Sequence, residues 1–270
     1  MRMLLYIIIF LLITIIFLNC FFDLIQKEGS LNYICQNEKN NRLPEKGLLS
    51  DKIKVKKYIQ ENFPDVKTSK IIHVIDDPEE LRKIKLPENF VLKCSTGARM
   101  FHIVKSGKYS VEDLIKKSKY FLSINFSEYG YRSIPFLYLK EPHYNHTNKR
   151  ILIEEYIDNI IEFRIMLVDG KIIYYEKEGL KFNNELFETD IYNSMKTKNT
   201  KLEKNITIEK IQKFCNDFYK KEKFKLTRLD FYINKDTKDF YFGEITFTPE
   251  NCRHKYSDSF DNYFKNHNIW

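Results

Sequence analysis

Asp230 and Glu244 stand where carboxylates are least expected. In LTRLDFYINKDTKDFYFGEITFTP (226–249), two apolar, aromatic-rich runs flank a polar NKDTKD turn, and each run carries one acid. An ionised carboxylate left unpaired in an apolar interior is costly, so each needs a basic partner, a bound cation or solvent. Strand side chains alternate, which sets Arg228 beside Asp230 and Thr246 beside Glu244. If the hairpin pairs in register, all four line one face. Two acids about one strand apart suit a hard divalent ion that is also bridged to phosphate. The arginine then meets a phosphate or a developing anion. A solvated face with a cross-strand ion pair fits the same residues, and the hairpin alone leaves both open.

Two further groups carry chemistry. Lys93 ends the apolar run of VLKC, just before a Ser95-Thr96-Gly97 turn whose backbone N–H groups are placed to meet an anion. On its own, such a lysine is equally a surface residue with an apolar stem. Glu154-Glu155-Tyr156-Ile157 closes another apolar run, with Glu162 just beyond. Such a connector can read an adenine edge through its backbone while an acid takes ribose hydroxyls; solvated acids at a strand end are the plain alternative.

These residues need strands and turns to hold them. The spacing predicts helices over 50–63, 76–84, 111–126 and 206–222, and strands at 70–75 and 150–157. Residues 89–110 read as strand, turn, strand. A hairpin over 162–178 turns at Asp169-Gly170, and the 226–249 hairpin closes the pattern. Hairpins mixed with helices give an α+β or α/β core rather than a barrel or bundle.

The chain has 270 residues, with Lys+Arg 45 against Asp+Glu 37 and a net charge of +8. An anionic partner is permitted. The basic residues are dispersed and no nucleic-acid motif accompanies them, so nucleic acid is not expected. Five widely separated cysteines form no CxxC pair, which indicates neither a zinc site nor a disulfide framework. Residues 3–22, MLLYIIIFLLITIIFLNCFF, are long enough for a bilayer span, and no A-x-A site follows. We read 1–22 as an uncleaved transmembrane anchor, 23–47 as a polar, turn-rich tether, and 48–270 as the folded domain. A single-pass membrane protein follows, with the side of the domain left open.

Taken in order, SDKIKVKKYI, LPENFVLKCSTG, KRILIEEYI, VDGKI and TRLDFYINKDTKDFYFGEITFTP resemble the TupA-like ATP-grasp proteins of polysaccharide and teichuronopeptide synthesis. The resemblance runs from about Ser50 to Pro249. It implies an ATP-grasp fold, two α+β subdomains clasping a nucleotide, with ATP and Mg2+ as cofactors. By that resemblance Lys52 and Lys93 hold nucleotide phosphates under the Ser95-Thr96-Gly97 loop. Glu154 faces the adenine amino group, Glu155 and Ile157 offer backbone contacts, and Glu162 takes the ribose. Asp230 and Glu244 are magnesium ligands, and Thr246 stands where an asparagine commonly serves as a third. Arg228 stabilises the acyl-phosphate or tetrahedral species, and Lys181 (favoured by spacing over Lys177) adds a further basic group.

Besides Thr246 at the asparagine position, the chain departs from the family pattern in two places. Ala98-Arg99-Met100 follows Gly97 where a second glycine is usual, and ENCRHKYSDS replaces a glycine-rich continuation after TFTP. The implied activity is Mg-ATP-dependent joining of a carboxylate to an amine through an acyl phosphate, on a uronic acid or carboxylated glycan. An inactive nucleotide- or glycan-binding module, and a sugar kinase-like ATP-grasp enzyme, are the alternatives.

Overall fold

The computed structural model describes residues 2–24, 30–125, 141–177, 180–183, 206–237 and 239–252. The apolar leader is helical, α1 (Arg2–Leu24), and Met3, Tyr6 and Phe10 on it are exposed. Among the described residues no helix is long and apolar enough to cross a membrane. The expected single-pass anchor therefore has no support from the fold.

Residues 30–47 of the stretch read as a tether are folded. Leu31, Ile34 and Cys35 give α2 (Leu31–Glu38) one apolar face, and Ser30 caps it by accepting from the Tyr33 N–H. That face packs on Met166, Val168 and Leu226. In α3 (Leu43–Ser50) the two apparent turn residues serve a helix. Pro44 sits in its first turn, where no N–H is needed. Gly47 is there for space, because a Cβ would lie 2.7 Å from the His143 carbonyl oxygen. Asp51 then caps α4 (Lys52–Asn62), its carboxylate accepting from the N–H groups of Ile53 and Lys54.

Two sheets follow. The small one runs β2 (Ile71–Ile75), β5 (Ile151–Glu155), β3 (Phe90–Cys94), β4 (Phe101–Val104). A short 3-10 helix (Pro78–Arg82) stands where a longer helix was expected, and α5 (Val111–Ser123) completes this lobe. Phe90, Leu92, Leu114 and Ile153 lie in its core. The large sheet runs β1 (Lys67–Thr68), β10 (Phe240–Thr246), β9 (Leu226–Asn234), β6 (Ile160–Val168), β7 (Lys171–Lys177), β8 (Leu180–Asn183). Val55 and Ile59 of α4, together with Ile211, Phe214 and Phe218 of α6 (Ile206–Glu222), share the core under one of its faces. The other face is charged at one end and apolar under α2 at the other.

The β6–β7 turn is as expected. Asp169 (φ 47°) and Gly170 (φ 78°) are both left-handed, as a two-residue hairpin of this twist requires.

Gly243 controls the charged face. Leu229, Phe231 and Ile233 of β9 point into the core, as do Phe240 and Phe242 of β10. Strict alternation from Phe242 would put Glu244 and Thr246 into that core as well. Instead the register shifts between Phe242 and Glu244, so that Ile245 turns inward and Glu244 pairs with Asp230. Gly243 is the extra residue of a β-bulge, and such a bulge moves every later side chain to the opposite face.

The cysteine reading requires correction. Cys35 of α2 and Cys252 of the 3-10 helix Pro249–Cys252 form a disulfide, their Cα atoms 5.3 Å apart and the residues 217 apart in sequence. Spacing could not reveal a pair so distant; Cys94 and Cys215 are buried free thiols. Cys35→Ser is expected to cost about 2–5 kcal/mol. Urea unfolding checks it, and a parent whose midpoint does not move under reductant would show that the bridge contributes nothing.

Candidate functional site

The charged face is built from three adjacent strands. Arg164 of β6 pairs with Asp230 of β9, and Asp230 pairs with Glu244 of β10. Arg228 pairs across with Thr246. Asp230 is buried, and Arg228 donates to both its oxygens, Nε to Oδ1 and Nη2 to Oδ2, each at 2.7 Å. Arg228 also lies 3.6 Å from Glu244, which is 3.4 Å from Lys52 on its other side. Burial, reinforced by Glu244, raises the Asp230 carboxyl above its usual range against the pull of Arg228. Burial works the same way on Glu244, but Lys52, Arg228 and Lys93 outweigh it and hold that carboxyl below its usual range.

Lys52 reaches this face from the first turn of α4. Its Nζ donates to the Gly97 carbonyl at 2.9 Å and its N–H to the Ser95 carbonyl at 2.7 Å, joining the 95–97 turn to the helix start. Gly97 has φ 89° and Arg99 has φ 58°, so two left-handed residues bend this loop back to β4. Ser95 and Thr96 are buried. The Ser95 hydroxyl accepts from the Arg150 N–H at 3.0 Å and donates to the Asn148 carbonyl at 3.3 Å. The Ser95 hydroxyl therefore shapes the loop, together with the Ser95 N–H, which donates to the Arg150 carbonyl at 2.8 Å.

A second cluster sits between the sheets. Glu154 is buried, 1 % exposed, and its carboxylate accepts from Lys56 and, at 3.1 Å, from Ser69 Oγ. Lys93 is 2.8 Å away. Burial pushes the Glu154 carboxyl up, but Lys93 and Lys56 overcome it and hold it at about 2. Burial likewise draws the Lys56 ammonium down to about 8 against the pull of Glu154. Lys56→Met is expected to destabilise the fold by about 3–5 kcal/mol, because it strips a partner from a buried charge. A melting temperature equal to the parent's would show that Lys93 and Ser69 suffice.

The remaining residues divide. Glu162 is on the charged face, accepting from Arg164 at 2.7 Å. Glu155 is not offering its N–H: that group donates to the Lys70 carbonyl at 3.0 Å, and its carboxylate accepts from the Lys70 N–H. Ile157 lies just beyond β5, partly exposed. Lys181 is on β8, opposite Glu176, and its side chain lies outside the described residues, as does that of Lys177.

Sequence reasoning missed Lys56, Arg164 and Glu141. Lys56 is one turn beyond Lys52, so both fall on one side of α4. Arg164 shares the strand phase of Glu162. Glu141 had no local signal. It is buried beneath Thr248, from which it accepts at 2.6 Å, and burial raises its carboxyl to about 7.

The donors fit magnesium in kind. Asp230 and Glu244 are hard oxygen donors on directly paired residues, and the Thr246 hydroxyl is two positions along. Among the described residues no group of three or more His, Cys, Asp or Glu gathers, so phosphate oxygens and water would have to complete an octahedral shell. Lys52, Lys93 and Arg228 supply the positive charge that a phosphate chain needs.

A family model described as TupA-like ATPgrasp matches residues 31–266. Among curated proteins none matches the sequence. Solved structures of similar shape include D-alanine–D-alanine ligase from Helicobacter pylori, at 16% identity and TM-score 0.49, covering 81% of this chain and 60% of that one. L-amino acid ligase from Bacillus licheniformis follows at 14% identity and TM-score 0.47, covering 81% and 49%. A RiPP-associated ATP-grasp ligase from Chryseobacterium gregarium, in complex with ADP and a leader and core peptide, gives 15% and 0.40, covering 83% and 56%. This chain thus spans less than two thirds of each of these proteins. The family match begins at α2, the helix the sequence reading had left outside the domain, and runs past the acid-bearing hairpin: the chain belongs to the TupA-like ATP-grasp family.

Proposed function

We propose that the chain is a Mg-ATP-dependent carboxylate–amine ligase working through an acyl phosphate. The observation that carries this reading is the direct pairing of Asp230 with Glu244, flanked by the bidentate Arg228 and by Lys52. Two acids for a hard cation, set among fixed positive charges, are what phosphoryl transfer to a carboxylate requires. Bound magnesium would neutralise charge on the transferring phosphoryl group.

In this reading Asp230, Glu244 and Thr246 hold the metal, and Lys52 and Lys93 hold the phosphates beneath the backbone of 95–97. Glu154, the connector at Glu155 and Ile157, and Glu162 face the nucleoside. A substrate carboxylate oxygen attacks the γ-phosphorus and ADP leaves. An amine nitrogen then attacks the acyl carbon, phosphate departs and the nitrogen sheds a proton. Arg228 stabilises the negative charge of both steps, with Lys181 as the second basic group.

A uronic acid or carboxylated glycan as acceptor rests on analogy within the family. Membrane attachment through residues 1–22 rests on the apolar sequence, and retention of the full chain in carbonate-washed membranes checks it. For the chemistry, incubation with Mg-ATP, a uronic acid and hydroxylamine should yield a hydroxamate and one ADP for each. ADP formed at the same rate with a neutral sugar, and no hydroxamate, would instead indicate a sugar kinase.

A further inference from the structure

The back of the small lobe carries a groove that the ligase reading does not use. It encloses about 540 Å³ and is lined by His102, Lys108, Tyr109, Asp113, Lys116, Lys117 and Tyr120, with Ser110 and Leu114. Asp113, Lys116, Lys117 and Tyr120 follow the i, i+3, i+4, i+7 spacing, so they share one face of α5. His102 comes from β4, where it pairs with the core residue Leu92 while its neighbour Phe101 pairs with Lys93. Because strand side chains alternate, this groove opens on the opposite side of the sheet from Lys93 and the candidate active site.

Its lining carries three lysines against one acid. Two other basic residues of the lobe are paired: Lys119 is 2.7 Å from Glu79, and Arg82 is 2.6 Å from Glu112. Among the described residues Lys108, Lys116 and Lys117 form no ion pair. Asp113 is the one acid in the lining. The His102 imidazole is held below its usual range by burial and by Lys117 beside it, with Asp113 opposing, which matches a locally positive field. Tyr120 is 63% exposed, and the Tyr109 ring is braced edge-on against Phe90 at 5.6 Å between centroids. A braced ring, an exposed ring, several ammonium groups and one carboxylate form a specific combination. Ammonium groups take an anion, an aromatic ring offers its face to a sugar's C–H surface, and Asp113 accepts from ring hydroxyls.

We propose that this groove is a second ligand site, taking an anionic sugar whose carboxylate or phosphate meets Lys108, Lys116 and Lys117 while its ring lies on Tyr120. The cavity lies within the ~300–1,000 Å³ range of small-molecule sites. The site stands independently of the ligase reading.

Binding to the full chain in detergent would be measured by calorimetry with trigalacturonate, glucose 6-phosphate, maltotriose and inorganic phosphate as probes. The anionic sugars are expected to bind and maltotriose not. The stronger of trigalacturonate and glucose 6-phosphate identifies whether carboxylate or phosphate is the natural anion. The double variant Lys116→Ala, Lys117→Ala should weaken binding at least about tenfold, as loss of two charge-assisted contacts requires. Tyr120→Ala should weaken it several-fold, with Tyr120→Phe restoring it. Inorganic phosphate binding as tightly as glucose 6-phosphate, or maltotriose binding as tightly as trigalacturonate, would overturn the proposal. So would variants that bind like the parent. ATP affinity, measured on the same preparations, should be unchanged by these substitutions; its absence from the parent would count against the ligase reading alone.

Discussion

Asp230→Asn and Glu244→Gln are each expected to lower Mg-ATP turnover by about 10²–10³-fold, the range found when one preorganised charge-stabilising group is lost. Both changes keep side-chain volume and remove a hard anionic ligand. Asp230 accepts two hydrogen bonds from Arg228, so an amide there also spoils one of them and frees the guanidinium to move. Magnesium titrations of ATP binding should show the loss as a weaker metal requirement and not as unfolding. Arg228→Lys should impair the chemistry too, since a point charge cannot reproduce a planar two-toothed contact. If the face were merely an exposed ion pair, these changes would cost only ~0.2–1 kcal/mol in stability and leave metal-dependent binding alone. Turnover within a few-fold of the parent would sink the assignment.

Gly243→Val should be more damaging still, because a branched side chain favours the regular pleated strand that irons out the bulge. Without the bulge, Glu244 takes the phase of Phe242 and turns into the core around Phe214 and Phe231. An ionised carboxylate there costs several kcal/mol even after relaxation, so stability should fall by about that amount and magnesium-dependent ATP binding should vanish. The two losses can be separated. Gly243→Val combined with Glu244→Leu should recover stability, because the residue now facing the core is apolar, without recovering metal binding. A milder version is Gly243→Ala, whose Cβ would lie 2.8 Å from the Tyr232 ring and 3.0 Å from the Asp230 carbonyl oxygen. The ring must then shift, and metal affinity should fall with little unfolding. A Gly243→Val variant that binds Mg-ATP like its parent would show that the bulge does not set the phase.

The contrast between these two cases marks how much was legible in the residues. Asp230 and Glu244 stood out because carboxylates in aromatic runs break a pattern, and hairpin pairing is a local property. The Asp169-Gly170 turn and the limits of α6 are equally local. Gly243 was visible, yet its effect on phase was not, because counting along FYFGEIT without a bulge makes Glu244 an inward residue. Lys56 and Glu154 are 98 positions apart, and only tertiary packing brings them together. The same holds for Glu141 with Thr248. α3 was misread for a different reason: Pro44 and Gly47 usually mark turns, but one starts a helix and the other makes room for His143.

The disulfide acquires another meaning when the chain is considered as something that can be pulled. Cys35 lies near the start of the folded unit and Cys252 near the end of its described part, so nearly all of both sheets falls inside one covalent ring. Tension applied through residues before Cys35 and after Cys252 passes across the sulfur–sulfur bond and bypasses the strands that carry Lys93, Asp230 and Glu244. With the bridge intact, α2 and the last 3-10 turn bear the load, and the ATP-grasp lobes between them feel none of it along the backbone. Reduction would reroute that tension through the site itself.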